Sequence, residues 1–131
     1  MKVLFDAIKT KYDASATLVA ACHGLHFGKV PQDTEMPYIV FYDNPGNPNY
    51  TFTEVEEERT IQFNILSDSS SSVEINGIYD KLIAAFDYCT LSVTGYNFIV
   101  MERTLNHLMP LPEENCWQYS VQYRIKIQKT K

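Results

Sequence analysis

The side chains best suited to hold a metal ion lie near residue 22, where Cys22 and His23 are adjacent and His26 follows closely. His107 and Cys116 could complete such a site if the fold brought them near. Zinc sites carry ligand pairs at short, regular spacings, and the sequence contains no Cys-x-x-Cys. We therefore expect no metal: Cys22 packs as a small apolar side chain, and both nearby histidines surround a loop.

Nucleophilic catalysis has equally weak support. Cys89 and His107 could form a Cys–His pair, but three cysteines and three histidines allow nine such pairs, and nothing orients this one. The glycine pattern that binds phosphate, Gly-x-x-x-x-Gly-Lys, is absent, as is the Gly-x-Ser-x-Gly nucleophile motif. We expect a protein that is not an enzyme, has no catalytic residues and needs no cofactor.

Four glutamates lie close together after residue 53, and they could act in acid–base catalysis, as calcium ligands or as a solvated surface. Acid–base catalysis requires carboxylates in different environments, which a continuous exposed run does not provide. Calcium loops require regularly spaced oxygens and a glycine at the turn, and both are missing. The pattern favours a solvated acidic segment, which could line an interface or a lumen and repel DNA. The four are Glu54, Glu56, Glu57 and Glu58.

The segment before these glutamates is the strongest signal in the sequence for a break in secondary structure. Residues 43–49 contain two prolines, a glycine and three asparagines. Residues 50–58 then form either an exposed arm or the leading half of a long strand. Tyr50 and Phe52 lie in this polar segment, either as interface anchors or as core residues. We expect subunit and partner contacts to involve Asn47, Tyr50, Phe52, Glu54, Glu56, Glu57 and Glu58.

Bulk properties indicate one domain spanning residues 1–131, since 45% hydrophobic and 21% charged residues are typical of a globular chain. A net charge of −5 disfavours nucleic-acid binding. Three widely spaced cysteines are not a disulfide framework and favour a reducing cytosol. We expect no signal peptide, because Asp6 interrupts the apolar start, and no membrane-spanning segment.

Hydrophobic periodicity predicts an α+β domain with a single, mostly antiparallel sheet and helices packed on one face. Helices are expected over residues 3–22, with a break at Asp13 to Ser15, and over 73–88. A loop is expected over 25–37, and another contains Pro110 and Pro112. Strands are expected over residues 38–42 (buried on both faces), 59–66, 91–93, 96–105 and 117–128.

Four segments in this order resemble the tail terminator proteins of tailed phages, also called tail completion or head–tail joining proteins. The first two are Pro37-Tyr-Ile-Val-Phe-Tyr42 and Arg59-Thr-Ile-Gln-Phe-Asn-Ile-Leu-Ser67. The others are the helical Ile78-Tyr-Asp-Lys-Leu-Ile-Ala-Ala-Phe86 and the closing Trp117-Gln-Tyr-Ser-Val-Gln-Tyr-Arg-Ile125. The resemblance spans nearly the whole chain and rests on order and pattern, while residues 43–58 match no family pattern.

This resemblance implies a virion structural protein, encoded by a phage or prophage and assembled in the bacterial cytoplasm. Copies of the chain, six being the expected number, would form a ring that caps the tail tube and ends its polymerisation. The implied partners are other copies of the chain, the tail tube protein and a head connector protein. Neither nucleic acid nor membrane would be bound specifically, and contact surfaces rather than chemistry would perform the function.

Two other classes of function stay open on the sequence. The first is a different head–tail connector or neck component with a similar small fold. The second is a small-molecule-binding domain or minor enzyme that holds its ligand between sheet and helices. The sequence assigns no functional role to Cys22, His23 and His26.

Overall fold

The computed structural model describes residues 2–43, 56–113 and 115–129. In these ranges the chain forms three helices, α1 (Lys2–Asp13), α2 (Ala16–Ala21) and α3 (Val73–Phe86). The strands are β1 (Leu25–Phe27), β2 (Tyr38–Asp43), β3 (Glu56–Ser67), β4 (Tyr96–Leu111) and β5 (Cys116–Lys129). The predicted α+β class is confirmed. No helix in the described ranges is long and apolar enough to cross a membrane.

Within the described residues, the strands form one five-stranded sheet in the order β1-β2-β3-β5-β4. β1 pairs with β2 in parallel, and the other three neighbouring pairs are antiparallel, which confirms the predicted mostly antiparallel sheet. The centre is formed by β3 and β5, which stay in register from Glu56 opposite Gln128 to Ser67 opposite Trp117. β1 and β4 are therefore the two edge strands.

Helices α1 and α3 pack on the same face of this sheet. The ring of Phe5 in α1 lies 6.1 Å from that of Phe41 in β2, and the ring of Phe86 in α3 lies 5.0 Å from that of Phe63 in β3. Phe41 and Phe63 are opposite each other in the β2–β3 ladder, so both project from one face. We call the opposite face, which these helix contacts do not involve, the open face.

Helix α3 is the element whose sequence pattern is clearest. Ile75, Ile78, Leu82 and Phe86 recur every three or four residues, and all four are buried. Burying a side chain of this size stabilises the fold by roughly 1.5–3 kcal/mol. The predicted helix is confirmed, and so are the α1 and α2 helices with the break between them.

Two strand predictions were wrong at the edges of the sheet. Leu25–Phe27 was expected in a loop but forms β1, with Leu25 opposite Ile39 of β2. β4 was expected to end at residue 105, with Pro110 in the following loop, yet it continues to Leu111. Proline is tolerated there because β4 is an edge strand, so a residue without an N–H need not break a ladder.

Two further predictions failed for reasons of packing. Leu91 and Val93 were expected to form a strand, and they are buried at 3% and 5% exposure without belonging to one. Residues 38–42 were expected to be buried on both faces. Ile39 and Phe41 are buried on the helix side, but Tyr38, Val40 and Tyr42 on the open face are only half-buried.

Tyr88 follows helix α3 with a backbone φ of 54°, and 85% of its surface is exposed. This left-handed conformation is costly for a residue with a Cβ and is easily adopted by glycine. We expect Tyr88→Gly to raise the free energy of unfolding by about 0.5–1 kcal/mol, measured by urea denaturation. Tyr88→Ala keeps the Cβ and should bring no gain; equal effects of the two substitutions would contradict the explanation.

Candidate interaction surface

The expected contact residues fall into two groups. Asn47, Tyr50, Phe52 and Glu54 lie outside the described residues. The other three are the first residues of β3, opposite Gln128, Ile127 and Lys126 of β5: they are Glu56, Glu57 and Glu58. For these three, the structure selects the strand rather than the arm from the two alternatives that the sequence left open.

Glu58 is held in an ion cluster rather than in free solvent. Arg124 of β5 lies between Glu58 of β3 and Glu102 of β4, with Nη1 3.5 Å from a Glu58 oxygen. Arg124 Nε donates a hydrogen bond of 2.7 Å to Glu102, and its Nη2 donates to the same carboxylate. Hydrogen bonding of Arg124 to the Glu102 carboxylate is the main reason that the pKa of Arg124 is raised. The cluster thus joins side chains of the three neighbouring strands β3, β5 and β4.

The centre of the open face is a network of uncharged polar side chains. Asn64 Oδ1 accepts hydrogen bonds from Gln62 at 2.9 Å and from Ser120 at 3.0 Å. Gln122 donates to Gln62 at 3.0 Å, and Gln118 donates to Ser120 at 3.1 Å. These bonds join β3 to β5 through side chains as well as backbone. At the centre of the open face, these amide side chains therefore already hydrogen-bond to neighbouring side chains.

The structure separates the cysteines and histidines considered as metal ligands. Cys22 is buried, with Sγ 3.3 Å from the Tyr12 hydroxyl, and His23 Nδ1 lies 3.0 Å from the carbonyl oxygen of Glu35. His26 belongs to edge strand β1, whereas His107 belongs to the opposite edge, β4. Among the described residues, no three His, Cys, Asp or Glu side chains are grouped closely enough for a metal ion.

The suggested Cys89–His107 pair is also separated. Cys89 packs with its Sγ 3.6 Å from Met101 Sδ, on the helix side, and burial raises the pKa of its thiol. Met101 lies opposite Ile125, and His107 lies opposite Ser120, so the two β4 side chains project from opposite faces. At neutral pH the Cys89 thiol is therefore protonated, and it packs against Met101.

A groove of about 590 Å³ runs between α1 and β1. Its floor is apolar, formed mainly by Phe5, Leu25, Phe27 and Phe41. The charged side chains at its rim are Lys2, Asp6 and Lys9, and Lys2 forms an ion pair with Asp6 at 2.9 Å. The groove is therefore suited to apolar contact rather than to proton transfer.

Exposed apolar side chains are concentrated at the two sheet edges. Phe27 in β1 is 51% exposed, and Ile99 and Leu105 in β4 are 44% and 47% exposed. Tyr88 is next to Asp87, whose carboxylate lies 3.5 Å from a guanidinium nitrogen of Arg103 in β4. Three of the large apolar side chains that are exposed within the described residues thus belong to an edge strand, where sequence patterns did not single them out.

A tyrosine–arginine cluster flanks β4 on the helix side. The ring of Tyr79 stacks on that of Tyr119 at 4.1 Å with an interplanar angle of 3°. Arg103 donates a hydrogen bond to the Tyr79 hydroxyl and lies 5.8 Å from the centre of its ring. Tyrosine and arginine are the residue types that most often anchor protein interfaces. The edge formed by β4 therefore combines exposed backbone, apolar side chains and this cluster.

Comparison with known proteins identifies solved chains that share this fold. No protein-family model and no curated protein matches the sequence. One solved chain, from the virion of a native gene transfer agent particle, matches with a TM-score of 0.77 and 8% identity, over 94% of this chain and 92% of that one. A second solved chain, which carries no functional name, matches with a TM-score of 0.56 and 10% identity, over 99% and 95% of the two chains. At these identities, what the chain shares with both proteins is the fold.

Proposed function

We propose that this chain is a structural protein of a phage-like virion and acts there as a tail terminator. The observation that carries the proposal is the shared fold with a chain of the gene transfer agent virion, which extends over nearly the full length of both. The sequence resemblance to tail terminators supports the same role independently, because it rests on residue patterns rather than on coordinates.

The chain would work by contact and not by catalysis. Copies would join head-to-tail, and the contact would repeat until the rotation closes a ring of six. One side of the ring would cap the tail tube, and the other would receive the head connector. The support within the chain is its surface: apolar side chains border both sheet edges, and uncharged polar side chains form a network at the centre of the open face.

The assembly state tests the proposal directly. Purified protein is examined by size-exclusion chromatography with light scattering and by negative-stain electron microscopy. We expect closed rings of about six copies, at least at high concentration. Rings that bind purified tail tubes support a tail terminator, whereas rings that bind only portal complexes favour a neck component. A strict monomer at every concentration would contradict the assembly role.

The segment from Asn47 to Thr53 is proposed to contact the neighbouring copy. Its deletion should leave the domain folded, because β2 and β3 pair without it, but should abolish ring formation. A matched control replaces the same residues with a Gly-Ser linker of equal length, which keeps the length of the chain and removes only the native side chains. Light scattering and circular dichroism report assembly and folding; intact rings, or an unfolded deletion variant, would count against this contact.

A further inference from the structure

In the second half of β4, the sheet edge before Pro110 carries no charged side chain and no bulge. Natural edge strands are usually blocked by charges, prolines or bulges, and residues 96–104 have charges and bulges, with register shifts after Phe98 and after Arg103. Residues 105–111 contain no Asp, Glu, Lys or Arg and pair with β5 without interruption, from Leu105 opposite Gln122 to Leu111 opposite Cys116. Within the described residues, this stretch is therefore a regular strand with one free side.

The backbone groups that point outward from β4 follow from the alternation of the sheet. The carbonyl of Phe41 accepts a hydrogen bond from Gly28 beyond β1, so Phe41 faces β1. In a strand, the backbone N–H and C=O groups of successive residues point toward opposite neighbouring strands. In an antiparallel ladder, two directly opposite residues point these groups either toward each other or away from each other. Following the registers through β3 and β5 directs the N–H and C=O groups of Asn106 and Leu108 outward. Pro110 faces the same way, as expected for a residue without an N–H.

β1 offers a matching set of groups at the other edge. The N–H of Ile39 donates a hydrogen bond to the Gly24 carbonyl. Within β1, the backbone N–H and C=O groups of His26 therefore point toward β2, and those of Leu25 and Phe27 point outward. The carbonyl of Phe27 accepts from Lys29 at 2.7 Å. In the part of the chain that the structure describes, the Leu25 backbone and the Phe27 N–H form no hydrogen bond. Both edges thus present outward residues two positions apart.

We propose that β4 of one copy pairs with β1 of the next copy, through Asn106 and Leu108 on one side and Leu25 and Phe27 on the other. This inference rests on the proposed ring and names the strands that form it. β1 runs antiparallel to β4 within the chain, so a copy added in the same orientation presents an antiparallel partner.

The side chains agree with this pairing. Phe27 and Leu25 project on the helix side, as does Leu108, so an extended sheet places apolar groups next to each other. Half of the Phe27 surface is exposed in a single copy, and the pairing would cover it. Because the two edges differ, the contact is heterologous and generates a ring or a filament rather than a closed dimer.

The test compares two substitutions at one position. Asn106→Pro removes an outward N–H without removing a bond to β5, whereas Asn106→Ala removes the side chain and keeps the N–H. We expect Asn106→Pro to weaken association at least about tenfold by light scattering, while Asn106→Ala assembles like the wild type. Circular dichroism and thermal melting establish that each variant is folded. Rings of the folded Asn106→Pro variant would overturn the pairing.

Hydrogen–deuterium exchange of the unsubstituted protein tests the same pairing if the proline variant does not fold. The amides of Leu25, Phe27, Asn106 and Leu108 should exchange at least about tenfold more slowly in the ring than in dilute monomer. Rings in which these amides exchange as fast as in the monomer would overturn the strand pairing but would not contradict the proposed ring. A protein that forms no ring at any concentration would instead overturn the proposed function, and the pairing with it.

Discussion

Replacing Phe63 with alanine is expected to lower the free energy of unfolding by about 3–5 kcal/mol. Phe63 lies in β3 at 0% exposure, and its ring contacts those of Phe41, Phe86 and Tyr123 at centroid distances of 5.8, 5.0 and 5.8 Å. It therefore joins β2, β5 and helix α3 in one cluster. Alanine would leave a cavity that these aromatic rings cannot fill without leaving their own contacts.

Phe27→Ala is the matched control, since it removes the same side chain from a position that is 51% exposed. We expect a loss of about 1 kcal/mol there, because solvent already covers half of the ring. Both values come from urea denaturation followed by circular dichroism. A Phe63→Ala variant within about 1 kcal/mol of the wild type would contradict this assignment of the core.

Replacing Tyr123 with phenylalanine is expected to cost about 1–2 kcal/mol at neutral pH. The Tyr123 side chain is buried, and its hydroxyl donates a hydrogen bond of 2.5 Å to Asp87 Oδ1. Without that donor, the Asp87 carboxylate keeps the Arg103 guanidinium at 3.5 Å and loses its shortest contact. The substitution preserves the ring, so a loss measured by urea denaturation reports the hydroxyl.

The same variant should change how stability depends on pH. Burial, followed by the hydrogen bond to Asp87, raises the pKa of Tyr123, and burial likewise raises the pKa of Tyr12. The unfolded tyrosines ionise near pH 10, so their contribution is complete below about pH 10 and is lost as pH rises further. Each group lowers the free energy of unfolding by up to about 1.4 kcal/mol per pH unit.

Tyr123→Phe removes one of these contributions, so its stability should fall less steeply than that of the wild type above about pH 10. Urea denaturation at about pH 8, 10 and 11 measures the two slopes. Tyr12→Phe offers a second, independent comparison, because Tyr12 lies against Cys22 rather than against Asp87. Parallel curves for the wild type and Tyr123→Phe would show that the Tyr123 hydroxyl does not control alkaline stability.

These two substitutions act on the helix side of the sheet, whereas the proposed contacts between copies lie at its edges. Phe63→Ala should therefore reduce assembly only through loss of folded protein. Asn106→Pro should reduce assembly with the fold intact. Measuring both properties for both variants separates a stability effect from an interface effect.

The amino-acid sequence by itself determined the elements whose hydrophobic pattern is long and local. Helix α3 and strands β3 and β5 were predicted because their side chains repeat with the helical or the strand period over many residues. Their order predicted the α+β class and the mostly antiparallel sheet. Nothing in these predictions required knowledge of which strand lies next to which.

The tertiary structure alone decided the edges and the contacts between distant segments. β1 is too short to carry a period, and β4 passes through Pro110 only because its outer side needs no N–H. Glu58 was named from sequence, but its partners Arg124 and Glu102 were not, because strand register brings them together. The contact residues expected at 47–54 stay a prediction. Pairing between strands is non-local, and it decides which backbone groups face inward and which remain open at the edge.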